Sequence, residues 1–182
     1  DENALVRETG GSMTILGQAL QRLADEGLVA KERRRWRVTR AATAATLAEI
    51  FDVRRTLEGM CVRFAAERAS DEHVEQMERA LKDFERVIHE GDNQALLAVD
   101  RKFHQQLYEA SGNRFLARAL DDMYTLIYRL SYFALDRVGS MRSNVEEHRD
   151  ILDAVRSGDG RTAERLIQDH ITHFQRMVEP LL

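Results

Sequence analysis

Four side chains that can bind a metal recur on the apolar faces of three predicted helices. Asp100 and His104 are four residues apart beside an apolar stripe, so they share one face of a helix. His148 occupies an interior position of a second stripe, and His170 does the same in a third. Burying such groups without partners costs about 1–3 kcal/mol each, so they must satisfy one another or bind something.

Two interpretations fit this set. One carboxylate and three imidazoles can hold a divalent transition metal, and a pair at i,i+4 fixes two ligands on one helix. The alternative is a buried hydrogen-bond network, because the four residues lack the tight spacing of a zinc finger. His173 lies three residues after His170 and is a further candidate ligand or an outer partner. The pattern alone leaves both interpretations open.

An arginine on another apolar stripe points to anion binding. Arg54 lies between Ile50 and Leu57 on the buried face of a predicted helix. A buried guanidinium requires an anion. Glu58, four residues later, is the internal candidate, and the carboxylate of a ligand bound near the metal is the other. Both remain open at this stage.

The residues from 12 to 40 differ in character from the rest. Apolar residues at helical spacing follow Ser12, whose hydroxyl can cap a helix, and Gly27 stands where such a helix ends. Residues 31–40 then carry six basic side chains against one acidic, Glu32. A helix followed by a short basic strand pair is half of a winged-helix DNA reader. The alternative is an arginine-rich surface exposed to solvent.

We expect the DNA contacts of this segment to come from the helix start and the basic strands. Alternation along an extended strand places Arg33, Arg35 and Arg37 on one face and Arg34 on the other. These side chains suit phosphate contacts. The candidate DNA-binding residues are Ser12, Thr14, Arg22, Arg33, Arg34, Arg35 and Arg37.

The sequence predicts a mainly α fold. The stretch after Thr43 shows helical periodicity broken by short polar or glycine stops at Gly91, Gly112 and Gly158. We expect a partial winged-helix domain at 1–42 and an all-helical antiparallel bundle at 43–182. The predicted helices of the bundle are 45–69, 71–90, 93–111, 114–137, 141–157 and 160–179.

Charge is distributed unevenly along the chain. Residues 1–40 carry eight basic and six acidic side chains, and the rest carries 19 against 25. A polyanion therefore contacts the N-terminal end, because the acidic remainder repels it. The single cysteine, Cys61, excludes an internal disulfide, and no apolar run approaches the length of a membrane span. A cytoplasmic protein without membrane contact is the expectation.

The sequence resembles the GntR-type bacterial transcription regulators, specifically the FadR-like branch with an all-helical FCD effector domain. SMTILGQALQRLADEGLV is similar to the recognition helix of that family, and FDVRRTLEGMCVRFAAERAS to the first helix of its effector domain. DRKFHQQLYEASGN carries the most specific match. EEHRDILDAVRSGD and DHITHF complete the resemblance.

The resemblance implies a ligand-responsive regulator of transcription, a repressor, and not an enzyme. It implies that Asp100, His104, His148 and His170 bind a divalent metal, zinc or nickel, whose open positions take a small organic acid. It assigns effector contacts to Arg54 and Asn113. It also implies a homodimer on palindromic double-stranded operator DNA.

This chain departs from the family pattern in two respects. Met13 and Gly17 stand where the family carries arginines that approach DNA. The chain also begins near what should be the second helix of the head, so the first helix is expected to be missing.

Two alternatives belong to other functional classes. A metal-dependent enzyme on a helical bundle is one, although neither a His-Glu-x-x-His nor a Glu-x-x-His motif occurs. A helical dimer whose histidines only hydrogen-bond is the other.

Overall fold

Two units of different secondary structure make up the chain. The computed structural model describes residues 2–25, 29–33, 35–38, 44–134 and 142–179. The units are Asp1–Ala41 and Ala42–Leu182. None of the helices in the described ranges has the length and apolar character needed to cross a bilayer.

The first unit consists of two helices and a β-hairpin. These elements are α1 (Glu2–Thr9), α2 (Met13–Asp25), β1 (Val29–Glu32) and β2 (Arg35–Val38). The Ser12 hydroxyl caps α2 as predicted, because its Oγ accepts a hydrogen bond of 3.3 Å from the Ile15 amide. The predicted helix end at Gly27 lies outside the described residues. The sequence did not predict α1.

The hairpin corrects the expected arrangement of the arginines. The strands are antiparallel with Glu32 opposite Arg35 and Ala30 opposite Arg37. Arg33 lies in the connecting turn with a φ of 56°, so it does not share a strand face with Arg35 and Arg37 as expected. Strand β1 ends at Glu32 and β2 begins at Arg35, so the chain reverses within two residues. Arg34 lies outside the described residues.

The described residues of the second unit form helices joined by short turns, which confirms the predicted fold class. Each predicted helix is present, and its described ends agree within a few residues. The predicted helix end at 137 and the predicted helix start at 141 lie outside the described residues. The helices are α3 (Ala44–Arg68), α4 (Asp71–Glu90), α5 (Asn93–Ala110), α6 (Arg114–Ala134), α7 (Arg142–Arg156) and α8 (Gly160–Val178).

Helix α3 lies at the centre of this unit. It packs against α5, α6, α7 and α8, and its most extensive contact is with α8. Glycine permits that close approach, since a Cβ on Gly160 would lie 3.2 Å from the backbone oxygen of Arg63. Fully buried side chains fill the interior, among them Phe51, Phe103 and Ile167. The central helix therefore reaches every element that carries a candidate metal ligand.

Local caps set the helix ends. The Ser70 hydroxyl accepts from the amide of His73, and the His73 ring accepts from the amide of Ser70, which forms a reciprocal cap at the start of α4. Gly91 ends that helix in the left-handed conformation, with a φ of 73°. Gly112 and Gly158, the other two predicted helix stops, also have a positive φ. Ser70 thus fixes where α4 begins, and the three glycines follow the ends of α4, α5 and α7.

Replacing Gly91 tests the left-handed cap. Gly91→Ala is expected to lower the free energy of unfolding by about 1 kcal/mol, because a side chain disfavours positive φ. A Cβ there meets nothing within 4 Å, so the cost comes from the backbone alone. Gly91→Asn is the matched control and should lose less, since asparagine tolerates this conformation. Urea denaturation followed by circular dichroism measures both, and equal losses would contradict the prediction.

Candidate metal centre

Three histidines from three helices meet in the core of the helical unit. His104 of α5, His148 of α7 and His170 of α8 each offer a ring nitrogen within 4.8 Å of the others. All three are buried. Nε2 of His104 lies 3.3 Å from Nε2 of His148. The structure therefore brings together side chains that lie far apart in the sequence.

Asp100 lies at the edge of this histidine cluster. Its Oδ1 is 3.5 Å from Nε2 of His148, and its Oδ2 accepts a hydrogen bond from the hydroxyl of Tyr124. Asp100 and His104 share a face of α5, as their spacing predicts. The three rings therefore form the group whose ligand atoms all lie within 4.8 Å of one another, and Asp100 adjoins this group through His148.

Glu147 contacts the rings of two histidines, one in the cluster and one beside it. Its Oε2 lies 2.7 Å from Nδ1 of His170, and its Oε1 lies 2.5 Å from Nδ1 of His173. A carboxylate accepts hydrogen bonds from both rings when each carries its proton on Nδ1. Such a bond leaves Nε2 of His170 unprotonated and able to bind a metal. Of the two roles expected for His173, the contact with Glu147 is that of an outer partner.

Arg54 and Glu58 form a buried ion pair beside the cluster. Nε of Arg54 donates to Oε1 of Glu58, and only 3% and 0% of the two residues is exposed. Glu58 is thus the anion that Arg54 contacts, which is the internal candidate expected from the sequence. The guanidinium also lies 5.6 Å from the centre of the Tyr124 ring. Arg54 and Asp100 therefore contact the same tyrosine.

Burial and neighbouring charges set the protonation states. Burial lowers the pKa of His148 well below its usual value, and the neighbouring rings of His170 and His104 lower it further. Burial also lowers the pKa of His170, against the opposing effect of Glu147. For Glu58, burial raises the pKa, but Arg54 and His104 outweigh it and lower the value to about 2. Glu58 is therefore ionised, and His148 and His170 are neutral near pH 7.

The donor set fits a divalent transition metal. Neutral imidazoles and a carboxylate are ligands that zinc and nickel accept. The two Nε2 atoms 3.3 Å apart can share at most one proton between them, whereas an ion can accept a lone pair from each. Among the described residues, Nδ1 of His104 and Nδ1 of His148 are buried without a hydrogen-bond partner. The cluster is therefore poorly satisfied by hydrogen bonds alone.

The remaining predicted site residues lie elsewhere. Asn113 caps α6, where its Oδ1 accepts from the amides of Phe115 and Leu116 at 3.2 Å each. The described DNA-binding candidates are all exposed: Ser12 before α2, Thr14 and Arg22 on α2, Arg33 in the turn, and Arg35 and Arg37 on β2. Arg37 pairs with Glu32 at 3.1 Å. This surface ion pair contributes little to stability.

Sequence reasoning missed two contributors to the site, Tyr124 and Glu147, and one contact, that of Glu58 with His104. Tyr124 was assigned no role from the sequence, although a buried tyrosine hydroxyl requires a partner. Glu147 precedes His148 directly, and its link to His170 depends on how α7 and α8 pack. The proximity of Glu58 to His104 likewise depends on the packing of α3 against α5. Only the tyrosine could have been found from residue type.

Comparison with known proteins places this geometry in context. The family described as "FCD domain" matches residues 49–173. The HTH-type transcriptional regulator YdhC of Bacillus subtilis, named as uncharacterised, is 27% identical over 176 residues, which is 95% of this chain and 78% of that protein. A probable D-xylose utilization operon transcriptional repressor of Paenarthrobacter nicotinovorans is 25% identical over 95% of this chain and 76% of its own.

A solved structure shares the fold. The structure titled E. coli McbR/YncC superposes with a TM-score of 0.87 at 18% identity. The similarity covers 97% of this chain and 84% of that one. At this identity the likeness shows the fold alone.

Acid should destabilise the metal-free protein through the buried histidines. An unfolded histidine titrates near pH 6.5, and folding lowers the pKa of His148 and His170. Between the two values the unfolded state binds more protons, so stability falls as the pH falls below about 6.5. We expect the melting temperature, measured in excess chelator, to decrease from about pH 7.5 to 5.5.

A variant identifies the source of this pH dependence. His148→Gln should lose part of the slope, whereas His89→Gln, at an exposed position near the end of α4, should retain it. A slope that is equal in both variants would contradict the assignment to the buried cluster.

Proposed function

The chain belongs to the FCD domain family of GntR-type transcription regulators, and we propose that it is a repressor whose helical unit binds a divalent metal and a small organic acid. The relatives that it matches are regulators of transcription and not enzymes. The observation that carries the proposal is the buried cluster of His104, His148 and His170. Zinc and nickel suit its imidazole ligands.

The proposed metal ligands are Asp100, His104, His148 and His170. A carboxylate and three imidazoles provide four donors, which leaves positions for oxygen ligands on a metal that accepts five or six. Bound metal would supply a Lewis-acidic centre for a carboxylate or hydroxyl group. The lowered pKa values of His148 and His170 support the proposal, because a ring nitrogen must be unprotonated to bind.

Arg54 is the proposed contact for the effector carboxylate. A guanidinium carries five N–H donors, and the contact with Glu58 uses Nε, which leaves the terminal nitrogens as donors to a second anion. Asn113 is the other proposed effector contact. Because its Oδ1 caps α6, we assign that contact to its side-chain nitrogen. The proposed ligands are lactate-like acids, sugar acids and dicarboxylates.

The first unit is proposed to bind operator DNA. Helices α1 and α2 with the hairpin have the element order of a partial winged-helix head, and α2 is the recognition helix. Exposed Arg22, Arg35 and Arg37 support phosphate contacts. Met13 and Gly17 supply no cation, so affinity depends more on the hairpin arginines.

A palindromic operator calls for a two-fold symmetric reader, and we therefore propose a homodimer. A repressor acts where the DNA is, which places the protein in the cytoplasm. Effector binding would regulate DNA binding if the ligand binds two states of the dimer with different free energies.

Metal content tests the first half of the proposal. Purified protein should contain about one zinc or nickel ion per chain by elemental mass spectrometry, and His148→Ala and His170→Ala should lose it, because each removes one of four donors. His89→Ala is the matched control, since that ring is exposed and outside the cluster, and it should retain the metal. Wild-type protein that stays metal-free after incubation with either ion would support a hydrogen-bond network instead.

The salt dependence of DNA binding tests the second half. Arg35→Ala and Arg37→Ala should each reduce the slope of log affinity against log salt by about 0.9, because each removes one phosphate contact. Arg79→Ala on α4 makes the same charge change at an exposed residue of the helical unit, where it pairs with Glu75 at 3.4 Å. Fluorescence anisotropy with a mixed-sequence duplex gives the slopes. No binding by the intact protein at low salt, or equal losses in all three variants, would refute the proposal.

A further inference from the structure

Glu58 lies between the two proposed ligand-binding groups of the helical unit. Its Oε1 accepts from Nε of Arg54, and its Oε2 lies 3.2 Å from Nδ1 of His104. Glu58 is 0% exposed, so water does not compete for either oxygen. One side chain thus contacts both the proposed effector arginine and a proposed metal ligand.

The buried atoms around Glu58 are incompletely paired. Oε2 of Glu58, Nδ1 of His104 and the hydroxyl of Tyr108 have no hydrogen-bond partner among the described residues. The first two of these atoms lie 3.2 Å from each other. Buried polar atoms left in this state are costly, and such exceptions require an explanation. A hydrogen bond between Nδ1 of His104 and Oε2 of Glu58 would satisfy two of these three atoms.

We propose that Glu58 is a positioning residue for both groups: Oε1 orients Arg54, and Oε2 accepts the Nδ1 proton of His104 and so directs Nε2 of that ring to the metal. The inference rests on the proposed function, because it concerns the same site. A neutral imidazole carries one proton, and a carboxylate at Nδ1 keeps that proton away from Nε2. Metal-binding histidines almost always donate their second nitrogen in this way.

A second histidine of the cluster already shows this arrangement. Nδ1 of His170 lies 2.7 Å from Oε2 of Glu147. His148 differs, because its Nδ1 has no partner among the described residues. Two of the three rings therefore have a carboxylate at Nδ1. Glu58 also accepts a hydrogen bond from the guanidinium of Arg54. This second contact links the orientation of His104 to that of Arg54.

Zinc affinity and the His104 tautomer test the proposal. In competition with a chromophoric chelator, Glu58→Gln should bind zinc about 10–100-fold more weakly than wild type. Long-range ¹H–¹⁵N NMR of the zinc-loaded wild type should show His104 protonated at Nδ1, with that proton protected from exchange. Glu58→Gln should lose the protection, because an amide binds this proton less strongly than a carboxylate.

Two further variants separate positioning from folding. Glu58→Gln leaves Arg54 without its counter-charge, so the double variant Arg54→Met with Glu58→Gln removes both charges and should show the same loss of zinc affinity. Glu78→Gln, which removes a surface carboxylate paired with Arg156, should bind zinc like wild type.

The outcomes distinguish this inference from the proposed function. Wild-type zinc binding with unchanged affinity in both Glu58 variants would overturn the positioning role and leave the metal site intact. Weaker binding with an unchanged His104 signal would also overturn it, since the effect would then be structural. Wild-type protein that binds neither zinc nor nickel would overturn both.

Discussion

The buried ion pair between Arg54 and Glu58 is the interaction on which the helical unit depends most. Two charges taken out of water stabilise a fold little, but removing one partner destabilises it by about 3–5 kcal/mol. Both residues lie on α3, which packs against four other helices, α5, α6, α7 and α8. A change in the packing of any of these helices against α3 therefore alters the surroundings of the ion pair. Tyr124 and His104 complete those surroundings.

The histidine cluster extends this polar interior. Burial lowers the pKa of His148 and of His170, so these two rings are neutral, and Glu147 fixes the ring of His170 through a hydrogen bond. Aromatic rings also pack against the cluster: the ring centres of Phe103 and Phe84 lie 4.6 and 5.6 Å from the ring centre of His148. A polar group enclosed in this way keeps a fixed geometry, because apolar packing restricts its rotamers. Such rigidity is what a ligand-binding centre requires.

The sequence was sufficient for the helices and for the ligand faces, and insufficient for contacts between helices. Apolar spacing predicts α3 to α8, and the interval of four residues predicts that Asp100 and His104 share a face. The link between Glu147 and His170 depends on the packing of α7 against α8, which no single helix specifies. The turn at Arg33 was missed because continuous alternation fits one strand as well as a hairpin. Helix α1 was missed because it is short and has no buried residue.

The direct packing of α3 against α8 relates the fold to its synthesis. These are the first and last helices of the helical unit, so the apolar face of α3 leaves the ribosome long before the surface that covers it. At about 5–20 residues per second, the delay in a bacterial cell is on the order of 10 seconds. During that time α3 can bury its face only against α5, α6 and α7. The helical unit therefore completes its core only after translation has passed α8, and a ribosome that stalls earlier leaves α3 partly uncovered.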